Sequence, residues 1–236
     1  MAQAGNAFYD SPRDIPAIIP VFPLDEALLL PRTQMPLNVF EERYLMMTDY
    51  AIHKDRIIGI IQPTPKRDQD IEEESDAPDK LYAPELQQVG CLGRISAYGE
   101  TGDGRVLITL SGICRFKLVK EIFTDLPFRL AEIDCEPFVE DLIEGHGEGE
   151  VNRQELLDTF SSFLDANDME ADWDSINKSS NEILVNSLSM LSPYGNEEKQ
   201  ALLEAETLAQ RAETLVAITE MYLVSKNHDG SMTTLQ

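Results

Sequence analysis

The densest group of residues able to do chemistry is EGHGEGE, in which Glu144, His146, Glu148 and Glu150 alternate along a glycine-rich stretch. Drawn out straight, these side chains share one side. They would then offer carboxylate and imidazole ligands to a divalent cation. The intervening glycines make such ordering costly in entropy, so a solvated acidic linker is the stronger reading. The three cysteines, Cys91, Cys114 and Cys135, are odd in number and form no C-x-x-C. Neither a disulfide framework nor a zinc ribbon is indicated. Each lies in an apolar, strand-like run, where a buried reduced thiol is the ordinary outcome. Cys91 has no helix start or base beside it to ionise it. His53, His146 and His228 sit among polar neighbours, and none is paired with a second histidine at metal-ligand spacing. No phosphate loop, no G-x-G-x-x-G after a strand and no G-x-S-x-G elbow occurs. The glycines of GETGDG lie between two strand patterns and serve a turn. The chain reads as a non-enzyme with no cofactor and no metal.

The bulk composition narrows the partners. Of 236 residues 42% are hydrophobic, enough for a real core, and 43 acids against 19 bases leave a net charge of −24. That field repels phosphate backbones and anionic membranes, so nucleic acid is disfavoured. Residues 66–80 hold seven acids and three bases, and residues 139–150 hold five acids and no base. The beginning, MAQAGNAFYDSPRD, lacks a basic region followed by an apolar core, so it is no secretory signal. No apolar run approaches a membrane span. These features read as a cytoplasmic protein without a membrane contact, and they leave its oligomeric state open.

The elements follow from periodicity. Five prolines (Pro16, Pro20, Pro23, Pro31, Pro36) punctuate the apolar runs AIIPVFPL, EALLLP and MPLNVF. The first two runs read as short strands, and the prolines place them at sheet edges. In EERYLMMTDYAIHKD, Tyr44, Met47, Tyr50 and Ala51 share one helical face, with Asn38, Glu41 or Glu42 favouring the start of the helix. RIIGIIQP reads as a buried strand, and the charge run after it as a solvated, mobile loop. VGCLGRISAY and RVLITLSG flank a hairpin loop. In the continuation CRFKLVKEI, Cys114, Phe116 and Leu118 face inward and Arg115, Lys117 and Glu121 outward. FRLAEIDCEPF adds a further strand, and six or seven such strands suggest a small closed or half-closed barrel. Beyond residue 150 the pattern turns helical and reads as about four helices. Leu156, Phe160, Phe163 and Leu164 form one stripe. Ile176, Ile183, Leu184, Leu188 and Leu191 form another, and Leu208, Ala212, Leu215, Thr219 and Tyr222 a third.

Several ordered blocks carry a resemblance. They are the P-x-F-P-L of Pro20 to Leu24, Pro31, the P-L-x-x-F-E-x-R-Y of Pro36 to Tyr44, the V-G-x-x-x-R-I of Val89 to Ile95, and the G-x-x-R-F of Gly112 to Phe116. In this order and spacing, over residues 15 to 225, the chain resembles the amino-terminal domain of the Lon ATP-dependent protease. The resemblance implies an α+β fold: a PUA-like β pseudobarrel of the Lon N-terminal type, followed by a small helical bundle. It also implies recognition of protein substrates or partners. No Walker lysine is present and the sequence stops where the ATPase and Ser/Lys protease domains of the full protease begin, so the chain is similar to a stand-alone member that works as an adaptor or quality-control factor.

The expected organisation is a flexible leader over 1–14, a β-rich barrel with one helix over 15–138, an acidic linker over 139–150, a helical subdomain over 151–226 and a tail over 227–236. The expected activity is binding of polypeptide substrates or of a partner protein such as a protease. The residues named for it are Phe22, Met35, Leu37, Phe40 and Tyr44, with core packing as their competing role. The alternative reading is a PUA-like nucleic-acid-binding module.

Overall fold

Short runs rich in Ile, Val and Leu become strands in the first part of the chain, and runs with apolar residues three and four apart become helices in the second. The computed structural model describes residues 2–65 and 84–232, the last six of them by backbone alone. The charge run of residues 66–80 lies outside the described residues. Contacts divide the chain into two units. The first is Met1–Glu144 with Tyr194–Asn196, and the second is Gly145–Pro193 with Glu197–Gln236.

The first unit holds β1 (Ala2–Ala4), β2 (Ala7–Tyr9), β3 (Ile18–Pro23), β4 (Gln34–Val39), α1 (Glu42–Ile52), β5 (Ile57–Ile61), β6 (Val89–Glu100), β7 (Val106–Ile122) and β8 (Arg129–Asp134). Six strands form one sheet in the order β4-β7-β6-β5-β3-β8, and a further pairing of β7 with β8 closes it. The 17 residues of β7 make this possible. Its first six pair with β4, and its last six, Lys117–Ile122, pair with β8. Register shifts at Cys91/Gly93, Ile95/Ala97 and Leu118/Lys120 bend the long strands around the ring, as bulges do at barrel corners. Gly112 is required where the chain crosses over β7, because a Cβ there would stand 2.0 Å from the Leu30 carbonyl oxygen. Ile19, Val21, Ile61, Leu92, Ile113 and Phe116 fill the interior, each stabilising the fold by about 1.5–3 kcal/mol through burial.

The structure corrects several expectations. Residues 2–14, expected as a flexible leader, are not free: β1 and β2 pair antiparallel, and Ala2, Ala4 and Tyr9 join the core cluster. Small side chains disguised this burial, because alanine carries little hydropathic signal. The run EALLLP is no strand. Leu28, Leu29 and Leu30 are buried in an irregular segment whose Leu30 carbonyl accepts from the Thr33 hydroxyl at 2.6 Å. Nor is β3 an edge, since it pairs with β5 on one side and β8 on the other. Arg115 is buried rather than outward. Its guanidinium forks onto the Asp141 carboxylate, with two contacts of 2.9 Å, and lies 4.6 Å from the centre of the Phe138 ring. The 3-10 segment Glu136–Leu142 thus covers what alternation marks as a solvent face.

The helix α1 begins after Glu41, which caps it with extended backbone and no side-chain bond, while Asn38 remains in β4. It buries Met47, Thr48 and Ala51 and leaves Tyr44 and Tyr50 half-buried.

Among the described residues the second unit holds five α-helices: α2 (Arg153–Ala166), α3 (Trp173–Lys178), α4 (Asn181–Leu191), α5 (Asn196–Glu204, whose first residue belongs to the first unit) and α6 (Leu208–Met232). Asn152, Asp172 and Ser180 cap the first three by accepting from backbone N–H groups three residues on, which satisfies donors the helix leaves unpaired. Leu156, Phe163 and Leu164 face inward from α2, as do Leu184, Val185 and Leu188 from α4 and Leu208, Ala212 and Leu215 from α6. Ile183 and Leu191, read above on the buried stripe of α4, are instead exposed. The glycine-rich stretch is ordered by hydrogen bonds. The Glu148 carboxylate accepts from the Glu182 N–H at 2.8 Å, and the Glu182 carboxylate accepts from the Gly145 N–H at 2.9 Å.

Candidate functional site

Two neighbouring stretches, β4 with the turn after it and the first turn of α1, carry four of the five residues singled out from the sequence. Phe22, the fifth, belongs to β3 and is 6% exposed. Its ring lies 4.1 Å from that of Tyr44, so it supports Tyr44 from beneath and is out of a partner's reach. Tyr44 is half-buried, with the Arg43 guanidinium 4.5 Å above its ring. It lines a cleft of about 180 Å³ together with Pro23, Pro63, Pro84, Pro127 and Phe128. Burial pushes the Tyr44 phenol above its ordinary pKa, with Arg43 and Arg129 pulling against that shift. Arg129 is spent on structure: it forks onto Glu121 at 2.6 and 2.7 Å and donates to the Pro84 carbonyl at 2.9 Å. The cleft is smaller than the ~300–1,000 Å³ usual for small-molecule sites.

Met35 and Leu37 are half-buried on β4, and Phe40 just beyond it is 64% exposed. The ring of Phe40 lies 6.0 Å from the Arg105 guanidinium, in the loop of the β6–β7 hairpin. Leu107 and Tyr98 on that hairpin are exposed as well. Sequence reasoning named neither. Leu107 was nevertheless visible, being an apolar residue between Val106 and Ile108 in a strand whose even positions face inward. A shallow depression of about 300 Å³ next to Tyr98 is lined by Asp49, Ile52, His53 and Ser96.

The residues weighed for reactivity do other work. Cys91, Cys114 and Cys135 are buried thiols outside any disulfide. A hydrogen bond to Cys135, then burial, raises the Cys114 thiol well above its ordinary pKa, which opposes thiolate chemistry. The His53 ring nitrogen lies 2.8 Å from the Asp49 carbonyl oxygen and so holds the end of α1. Glu144, His146, Glu148 and Glu150 do not converge, and no metal-holding group of three or more His, Cys, Asp or Glu occurs among the described residues. Nor is any described helix long and apolar enough to cross a membrane. What the arrangement offers is accessible apolar side chains on both faces of the sheet near the outer edge of β4, with Met35, Leu37 and Tyr98 on one face and Leu107 on the other.

Comparison with known proteins gives consistent matches. The family described as the ATP-dependent protease La (LON) substrate-binding domain matches residues 18–220. Lon protease 2 of Myxococcus xanthus is 28% identical over 122 residues, which is 52% of this chain and 13% of that protein. Lon protease of Dictyoglomus thermophilum is 24% identical over 182 residues, or 77% of this chain and 20% of that one. The chain therefore corresponds to a small part of these relatives. Among solved structures, a Lon N-terminal domain protein from Xanthomonas campestris superposes with a TM-score of 0.56 at 20% identity, over 85% of this chain and 97% of its own. The N-terminal domain of the Mycobacterium avium complex Lon protease gives 0.61 at 15% identity, over 86% and 98%. The closed sheet followed by helices is that fold, consistent with a PUA-like barrel.

Proposed function

The chain belongs to the LON substrate-binding domain family, and from that premise we propose that it binds exposed apolar segments of polypeptides. The observation that carries this reading is the solvent-facing Phe40, continuous in sequence with half-buried Met35 and Leu37 and accompanied by Leu107 and Tyr98 on the adjoining hairpin. Covering one such side chain contributes about 1.5–3 kcal/mol, part of which offsets the freedom lost on association. Tyr44 adds an amphipathic rim held rigid by Phe22. Binding of this kind serves an adaptor or quality-control role in the cytoplasm, delivering polypeptides to an ATP-dependent protease. The Lon proteases among the relatives support that placement, and the charge of −24 speaks against the nucleic-acid alternative.

The test is fluorescence anisotropy with labelled, reduced and alkylated lysozyme as a permanently unfolded, basic probe. Phe40→Ser combined with Leu107→Ser is expected to weaken binding by about tenfold or more while leaving the thermal midpoint in place. Unchanged affinity in that variant refutes the assignment of this surface. The delivery role is checked separately, by whether adding the chain accelerates digestion of the same probe by a Lon protease.

A further inference from the structure

Among the described residues, β4 alone in the six-stranded sheet has a neighbour on one side only, pairing with β7 and with no other strand. Parity settles which of its backbone groups are left over. The Gly112 N–H donates to the Thr33 carbonyl at 2.9 Å. The same register then places Met35 opposite Leu110, Leu37 opposite Ile108 and Val39 opposite Val106. In antiparallel pairing the N–H and C=O of one residue point to the same side, and successive residues alternate. The odd-numbered residues therefore bond to β7, while Gln34, Pro36 and Asn38 point outward. All three are exposed. Because proline has no N–H, the free edge presents two donors, from Gln34 and Asn38, and three acceptors. No hydrogen bond reaches these outward groups among the described residues.

We propose that this edge takes up an extended polypeptide as a seventh strand. The proposal rests on the polypeptide-binding reading above and specifies its mode. Main-chain bonds supply affinity that is tolerant of sequence, and the flanking side chains supply preference. Side chains of an added strand alternate between the two faces of the sheet. On one face they meet Met35 and Leu37, whose partial burial leaves room at the edge, and on the other they meet Pro36. Charge narrows the occupant further. At −24 the chain repels acidic segments and attracts neutral to basic ones. The same charge sets two copies of the chain against each other, and Pro36 blunts the edge against self-pairing. The segment taken is therefore extended, neutral to basic and apolar at alternate positions. It carries no proline opposite Gln34 or Asn38.

The experiment uses the full chain and a short fluorescein-labelled peptide of alternating valine and threonine with lysine at both ends. Proline already stands outward at position 36, so Gln34→Pro with Asn38→Pro removes both donors and spares the bonds to β7. Peptide affinity is expected to fall by about tenfold or more with the thermal midpoint unchanged. In the unsubstituted chain, amide exchange followed by NMR is expected to slow at Gln34 and Asn38 when peptide is added. Should the double variant fail to fold, this second measurement decides alone. Strand addition is overturned if the double variant binds peptide as tightly as the parent and the two amides exchange unchanged. If Phe40→Ser with Leu107→Ser still weakens lysozyme binding in that case, the polypeptide-binding reading stands and only its mode is lost. If neither variant matters, both fall. A stable dimer in sedimentation, with Gln34 and Asn38 protected before any peptide is added, assigns the edge to a second copy and also overturns the proposal.

Discussion

β3 and β4 are each six residues long and each carry proline at the third position, yet they meet opposite fates. β3 is buried almost throughout and has a neighbour on both sides, whereas β4 alternates exposed and half-buried residues beside one neighbour. Both prolines obey one rule. The Ile133 N–H donates to the Ala17 carbonyl, so residues 17, 19 and 21 bond to β8 and Pro20 turns away from it. On the other side, pairing with β5 begins only at Val21. Pro20 thus carries its missing donor just before the first paired residue of the β3–β5 ladder, and Pro36 hides its own by facing solvent. Local composition makes two similar strands; the neighbours each one finds make one a wall of the barrel and the other an open rim.

The contrast can be broken from the closed side first. Asp141→Ala leaves the Arg115 guanidinium buried without its carboxylate, and about 3–5 kcal/mol of stability should be lost in urea unfolding. A loss under 1 kcal/mol would show that solvent reaches Arg115. Next come matched truncations: Ile19→Ala in β3 should cost about 2–5 kcal/mol, against about 1 kcal/mol for Leu37→Ala in β4. Equal costs would erase the distinction between wall and rim. Proline scanning sharpens it further. Val21→Pro removes a ladder bond between two neighbours and should cost about 3 kcal/mol, while Asn38→Pro should cost less than about 1 kcal/mol. The smallest effect on stability belongs to Phe40→Ser, within about 0.5 kcal/mol, and there the change should be read in polypeptide binding instead.

How much of this was legible depends on how local each signal is. The β6–β7 hairpin, the buried β5 and the inward face of α1 depend on alternation, helical spacing and turn glycines within a few residues, and each was readable. Arg115 was not, because its partner Asp141 lies 26 residues away and covers a face that strand alternation marks as wet. The buried leucines of residues 28–30 have strand-like composition but sit in a crossing over Gly112, which only tertiary packing reveals. Ile183 and Leu191 fit the stripe of α4 by spacing, but Leu184, Val185 and Leu188 take the inward positions. For the candidate site, Met35, Leu37, Phe40 and Tyr44 were reachable as apolar residues among prolines. The free edge beside them was not, since it exists only through the order of strands in the sheet.

The most direct measurement is a chemical-shift map of the isotope-labelled chain titrated with reduced, alkylated lysozyme. The perturbed amides are expected to cluster on residues 34–40 and on the β6–β7 hairpin, with β3 and β8 unmoved. Perturbations confined to β3, β8 or the helical unit, with residues 34–40 silent, would contradict it.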